Sequence, residues 1–259
     1  MSYMRAAALA ALAACMVAPA LGQAAPPSAS AAGGTRVLLG QPQTVGAGTA
    51  RTWVRLGADG RPAALGVLLS ESALTGLPQT DTEYVLPLPA GADVSPFNHV
   101  GLNWNAHGHI PPGIYDRPHF DLHFYMITPA DRDRITARGE DLARVRQAPP
   151  AAQAPEGYMP APGAEEPRMG SHWVDPTSPE FHGRPFTQTF IYGFYGGQMV
   201  FAEPMVTQEY LLSRPDISEA VRQPAAYPKP GHYPAAYEVR YDPQQRAYSV
   251  SLEQLTLRP

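Results

Sequence analysis

Thirty prolines and 23 glycines cut this chain of 259 residues into short pieces. Proline has no backbone N–H to donate and breaks helix interiors, while glycine favours tight turns. Many short elements joined by tight turns point to an all-β, mainly antiparallel fold, a β-barrel or sandwich with one α-helix and long Pro-rich loops.

The expected order of elements follows from alternation and turn residues. Arg36–Gly40 and Thr49–Leu56 carry strand-like residues, and Ala58-Asp59-Gly60 makes a turn before Ala63–Ser70. Glu71–Gly76 fits one helical turn. Tyr84–Pro89, His99–Asn105 and His119–Ile127 read as strands, as do Phe186–Tyr192 and Gln198–Phe201 around Gly193–Gly197. Tyr237–Tyr241 and Ala247–Leu252 flank Asp242-Pro243-Gln244-Gln245 as the clearest hairpin. The total is about ten strands. Thr128-Pro129-Ala130-Asp131 has the N-cap, N1 proline and first-turn acid of a helix start, predicting a helix to about Arg146 with Ile135, Leu142 and Val145 on one stripe. Residues 147–168, rich in Pro and Ala, are expected to be a long surface loop or a boundary between two lobes.

The N-terminus reads as an export signal over residues 1–22: Arg5, an apolar run from Ala6 to Leu21, and small residues at its close. Ala20-Leu21-Gly22 suits ordinary signal peptidase. Leu12-Ala13-Ala14-Cys15 suits a lipoprotein signal, but the apolar run continues past Cys15, which favours ordinary cleavage. Pro19 and a length short of the ~20 residues needed to span argue against a membrane anchor. Residues 23–34 are a low-complexity tether, and 35–259 are expected to form a single β-rich domain in the periplasm or outside the cell. A net charge of −4 with no Lys/Arg cluster argues against nucleic acid and anionic lipid as partners.

Chemistry concentrates in one window, Asn105 to Tyr125, where His107, His109, His119 and His123 fall with Asp121 around a Pro-Gly turn. Strand alternation puts Asn105, His107 and His109 on one face of the first arm, and His119, Asp121 and His123 on one face of the second. Phe120, Leu122 and Phe124 then point into a core. With His109 set opposite His119, His107 meets Asp121 and Asn105 meets His123, close enough to share an ion. His119 and His123 are ~13 Å apart along an extended strand, so one ion cannot readily take both without a bend. A complete site needs donors from the second half, and His172, Glu180, His182 and Glu203 are available. Gly108 allows a bend that turns His107 outward. His99 and His232 have no partners in sequence.

Cys15 is the only cysteine, so a metal would be held by imidazole and carboxylate, zinc in preference to copper. The His119-x-x-x-His123 spacing is not that of a zinc protease, because Phe120 stands where the general-base Glu belongs. No G-x-S-x-G occurs, and the glycines at 193–197 precede no capped helix. The leading expectation is a divalent metal on His109, His119, His123 and His172, with Glu203 or Asp121 completing the shell. The alternatives are a metal-dependent enzyme using an open coordination position, and a ring-forming envelope protein whose histidines are only packed.

The segments Asn105-x-x-Gly108-His109-x-Pro111, Pro118-His119-Phe120-Asp121-Leu122-His123-Phe124-Tyr125, Gly170-Ser171-His172-Trp173 and Glu203-Pro204-Met205 resemble a family of exported bacterial proteins of unassigned activity. That family is named after a thermophile member under extracytoplasmic-function sigma-factor control. The resemblance runs from about Arg36 to Leu212. It implies a β-rich fold, a ring-like homo-oligomer, and a polar centre of His109, His119, His123, His172 and Glu203. It says little for His107 and supplies no reaction.

Overall fold

The computed structural model describes residues 34–259. The export signal, Cys15 and residues 23–33 of the tether lie outside them. The chain begins one sheet with β1 (Arg36–Leu39), β2 (Gln43–Val45), β3 (Gly48–Leu56) and β4 (Pro62–Ser70). It then lays down a whole second sheet: β5 (Thr82–Pro87), β6 (His99–Asn105), β7 (His119–Tyr125), β8 (Met159–Glu166), β9 (Gly170–Val174), β10 (Gln188–Tyr195) and β11 (Gln198–Thr207). The return comprises β12 (Asp216–Ala220), β13 (Gly231–Tyr233), β14 (Ala236–Asp242), β15 (Ala247–Glu253) and β16 (Thr256–Arg258), of which β13 and β16 pair as a separate ribbon.

The first sheet is ordered β1-β3-β4-β15-β14-β12, with β2 against β3, and the second β5-β6-β7-β11-β10-β9-β8. Neither sheet closes on itself, so of the two expected architectures the sandwich holds and the barrel does not. Phe120, Leu122 and Phe124 of β7 join Val100, Leu102, Ala202 and Val206 on the inner face of the second sheet. They belong to the same core as Val54, Leu65, Val67, Val250 and Leu252 of the first. Burying a side chain of this size stabilises by about 1.5–3 kcal/mol, which pins the face that each strand turns inward. The polar residues of β7 are therefore driven to the opposite face of the second sheet. Among the described residues no helix is long and apolar enough to cross a membrane.

Three expectations need correction. The single helix from Thr128 to about Arg146 is two short ones, α1 (Pro129–Arg132) and α2 (Asp141–Val145). Thr128 does cap the first, accepting the Asp131 N–H. The chain then turns through Ala137 and Gly139, both at positive φ, and Asp141 gathers the N–H groups of Thr136 and Ala137. Arg132 is fully buried and ion-paired with Glu83, which ties the end of α1 to the sheet instead of letting it continue.

The hairpin register also differs. Asn105 pairs with His119, Asn103 with Asp121 and Gly101 with His123, while His109 bridges Tyr115 beyond the end of β6. The partner of His119 moves from residue 109 to residue 105, an even shift. The side chains within β6 and β7 therefore keep their expected faces even though the pairs change.

Lastly, the Pro/Ala-rich connection carries β8, the edge strand of the second sheet. An edge strand needs hydrogen bonds on one side only, which is why Pro160 and Pro162 are tolerated there.

Candidate metal centre

On the outer face of the second sheet, His119, Asp121, His123 and Tyr125 line up along β7. Met205 of β11 is opposite Asp121 and Phe201 opposite Tyr125, which sets Glu203 level with His123. Ile191 of β10 pairs with Glu203, and Gly193 pairs with both Phe201 and His172 of β9. Antiparallel pairing across four strands thus gathers residues some eighty positions apart in sequence. His109 arrives from the loop between β6 and β7. A cavity of about 270 Å³ opens onto this face, lined by both halves of the chain, including His109, Asp121, His123, His172, Ala161 and Ala164.

The six residues expected as ligands gather on this face of the sheet as two groups of three, four of them lining the cavity. His123, His172 and Glu203 have potential ligand atoms within 4.8 Å of one another, and so do His109, His119 and Asp121. His119 and His123 fall in different groups, as strand spacing requires.

The first group is deep. His123 is wholly buried and Glu203 nearly so. His123 Nε2 is 3.3 Å from Glu203 Oε1, and His172 Nε2 is 3.9 Å from Oε2. Two ligands on tetrahedral zinc at ~2.0–2.1 Å are roughly 3.3 Å apart, so little movement is needed to close the shell. His172 donates its Nδ1–H to the Ala164 carbonyl at 2.9 Å, which leaves the Nε2 lone pair facing the group. The β8–β9 ladder is irregular between Pro160 and Glu165, and the accepting carbonyl lies in that break. Burial drives the His123 ring down to about 3, so it is neutral and ready to bind. Burial, reinforced by the Asp121 charge, pushes the Glu203 carboxyl well above its ordinary range.

The second group lies nearer the mouth, where the His109 side chain is 34% exposed. Asp121 Oδ2 is 3.2 Å from His109 Nε2, and Oδ1 is 3.0 Å from His119 Nε2. Burial pulls the His109 ring down, but the adjacent Asp121 carboxylate more than offsets it and lifts the ring to about 9. Burial would also raise Asp121, yet the two imidazoles hold it well below the usual carboxylate range.

Aromatic packing fixes these rings. Phe201 stands edge-on to His123 at 4.8 Å and lies 5.3 Å from His172. Phe201 fits because Gly193, opposite it, has no side chain: a Cβ there would come 2.0 Å from the Phe201 ring. Gly193→Ala should therefore cost about 1–3 kcal/mol by overpacking and weaken metal uptake through displaced imidazoles. Urea unfolding checks the first part and a zinc titration the second; a change below 0.5 kcal/mol would contradict the packing argument.

Other histidines go elsewhere. His107 is exposed and outside both groups, turned out at Gly108, whose φ of +73° and closeness to the Tyr115 carbonyl exclude a side chain. His99 is buried and stacked on Tyr125 at 4.9 Å, with burial and the Arg132 charge lowering it to about 4. Glu180 is buried against Tyr115, and His182 is exposed and donates to the Pro176 carbonyl, so neither reaches the cavity groups. Sequence reasoning missed Asn103, Glu166 and the small residues Ala161 and Ala164, which line the cavity. Reading residues 147–168 as a loop hid the last three.

Residues 57–104 match the TTHB210-like family, described as "Hypothetical protein TTHB210", and this supports the resemblance read from the sequence. The matched span covers β4, β5 and most of β6 and stops short of all six candidate ligands. No curated protein and no solved structure matches.

Proposed function

We propose that this is an exported, divalent-metal-binding β-sandwich that holds zinc on His123, His172 and Glu203. One observation carries the reading. Both ring nitrogens of His123 and Oε2 of Glu203 are buried and have no hydrogen-bond partner. Each buried polar group left unpaired costs about 1–3 kcal/mol, more if charged, and native folds rarely retain three in one spot. A cation bound at the centre would satisfy one His123 nitrogen and Glu203 Oε2 together, since one ion meets only one nitrogen of a ring.

Two imidazoles and a carboxylate, without thiolate, suit zinc. The His172-to-carbonyl hydrogen bond is the support expected behind a metal-binding imidazole. Three protein ligands leave one position open toward the cavity, as in sites where the ion meets a solute, whereas structural zinc sites are closed by four. The leader-like residues 1–22 support export to the periplasm or beyond.

The test is elemental analysis of the purified chain after zinc loading and gel filtration. Wild type should retain zinc, and both His172→Ala and Glu203→Gln should retain one equivalent less. Unchanged zinc content in both variants, with folding verified by circular dichroism, would refute the site.

A further inference from the structure

We infer that the same cavity takes a second divalent cation, on His109, His119 and Asp121, making it a two-cation centre. This goes beyond the single-ion reading and stands on different residues. His109 donates Nδ1–H to the Ile110 carbonyl at 2.7 Å, and His119 donates Nδ1–H to the Arg117 carbonyl at 2.6 Å. Each ring has spent its Nδ1 on the backbone, so each directs Nε2 at the carboxylate of Asp121. That is the orientation in which metal-binding imidazoles are held.

The carboxylate points the same way. Asp121 is buried, and its Oδ2 accepts the Asn105 amide at 2.7 Å. Oδ1 has no hydrogen-bond partner, although His119 Nε2 is only 3.0 Å away. The 3.0 Å separation is close to the spacing of two ligands on one zinc ion. A cation set between them would be held by both atoms. Asn105 Nδ2, 3.3 Å from His119 Nε2, steadies both groups.

The surroundings favour positive charge. Asp81, Asp121 and Glu166 line the cavity, and no lysine or arginine is among its lining residues. Tyr115 and Phe186 pack edge-on against each other at 4.9 Å. The first also packs against His109 and the second against His119, walling the site on its far side. Asp121 and His123 are next-but-one on the same strand face, which puts their Cα atoms roughly 7 Å apart. Each triad therefore has its own complete ligand set, and the two can be emptied separately. His109 sits on the β6–β7 loop at the mouth, whereas the His123 group is enclosed, so a chelator should strip the mouth ion first.

The experiment is zinc stoichiometry by elemental analysis, with zinc alone as the probe, on the full chain, His109→Ala, Asp121→Asn and His172→Ala. Two zinc per chain in wild type, falling to one in each variant, is the expected result. A second readout is zinc release to a chromogenic chelator, which should be biphasic in wild type and lose its fast phase in His109→Ala. One zinc in wild type, kept in His109→Ala and Asp121→Asn but lost in His172→Ala, would overturn the second cation and leave the proposed function standing. One zinc lost in His109→Ala and kept in His172→Ala would overturn both readings. No zinc in wild type would do the same.

Discussion

Filling the deep triad with zinc should raise the melting temperature by about 10 °C, an increment that Glu203→Gln should not show. A ligand at a thousand times its Kd stabilises by ~4 kcal/mol, and each kcal/mol moves the melting point of a chain this size by roughly 2–4 °C. The sign should reverse when zinc is removed. In the metal-free protein Glu203 is a buried carboxyl held well above its ordinary range by burial and by the Asp121 charge, with Oε2 unpaired. A group raised in the folded state loses its stabilising contribution as pH rises through the folded value. The amide of Glu203→Gln has no such proton to lose. In chelator at alkaline pH the variant should match or exceed wild type, and with zinc it should fall behind. Differential scanning calorimetry with chelator and with excess zinc measures both arms. A variant that gains as much from zinc as wild type would exclude Glu203 as a ligand.

Asp121→Asn should produce the opposite pattern, a large loss in the metal-free protein that depends on pH. Its carboxylate lies between two imidazoles, and removing one partner of a buried ion pair costs about 3–5 kcal/mol. The window follows from the two directions of shift. His109 is raised to about 9 from an ordinary 6.5, so its contribution is fully present below 6.5 and disappears as pH climbs through 9. Asp121 is depressed below an ordinary 3.8, so its contribution is present above 3.8 and disappears as pH falls through the lower folded value. The gap between wild type and variant should therefore be widest from about pH 4 to 6.5 and narrow toward pH 9. Urea unfolding in chelator at several pH values reads it. A gap that does not vary with pH would mean that an ordinary neutral hydrogen bond, not an ion pair, is being lost.

Zinc binding at the mouth has to displace the same His109 proton. Uptake there should release protons below about pH 9, with apparent affinity rising as pH rises toward that value. Isothermal titration in two buffers of different ionisation enthalpy measures the release directly. Buffer-independent heat at pH 7 would count against His109 as a ligand.

Much of the frame was legible because short-range physics controls it. The runs at 36–40, 49–56, 99–105, 119–127, 237–241 and 247–252 carry strand-forming residues, and strands formed in all of them. Thr128 caps a helix as its local chemistry demands. The helix length was not legible, because the burial of Arg132 against Glu83 depends on a strand 49 residues away. Nor was β8, since a Pro/Ala-rich segment looks like a loop unless its place at a sheet edge is known.

The candidate site divides along the same line. The sequence by itself determined which side chains share a face: Phe120, Leu122 and Phe124 inward, and His119, Asp121 and His123 outward. A period of two survives an even slip in register, which is why the facing was right and the pairs were not. It also determined that His119 and His123 are too far apart to bind one ion readily, and that a second segment must supply donors. Only the tertiary structure decided the rest. The β7–β11 pairing sets Glu203 level with His123, and Gly193 makes room for the ring that positions His123 and His172. The β6–β7 loop folds back so that His109 closes on Asp121. These are contacts between distant strands and a folded-back loop, fixed by sheet order and core packing. No local pattern encodes them, and so one expected cluster of ligands became two triads.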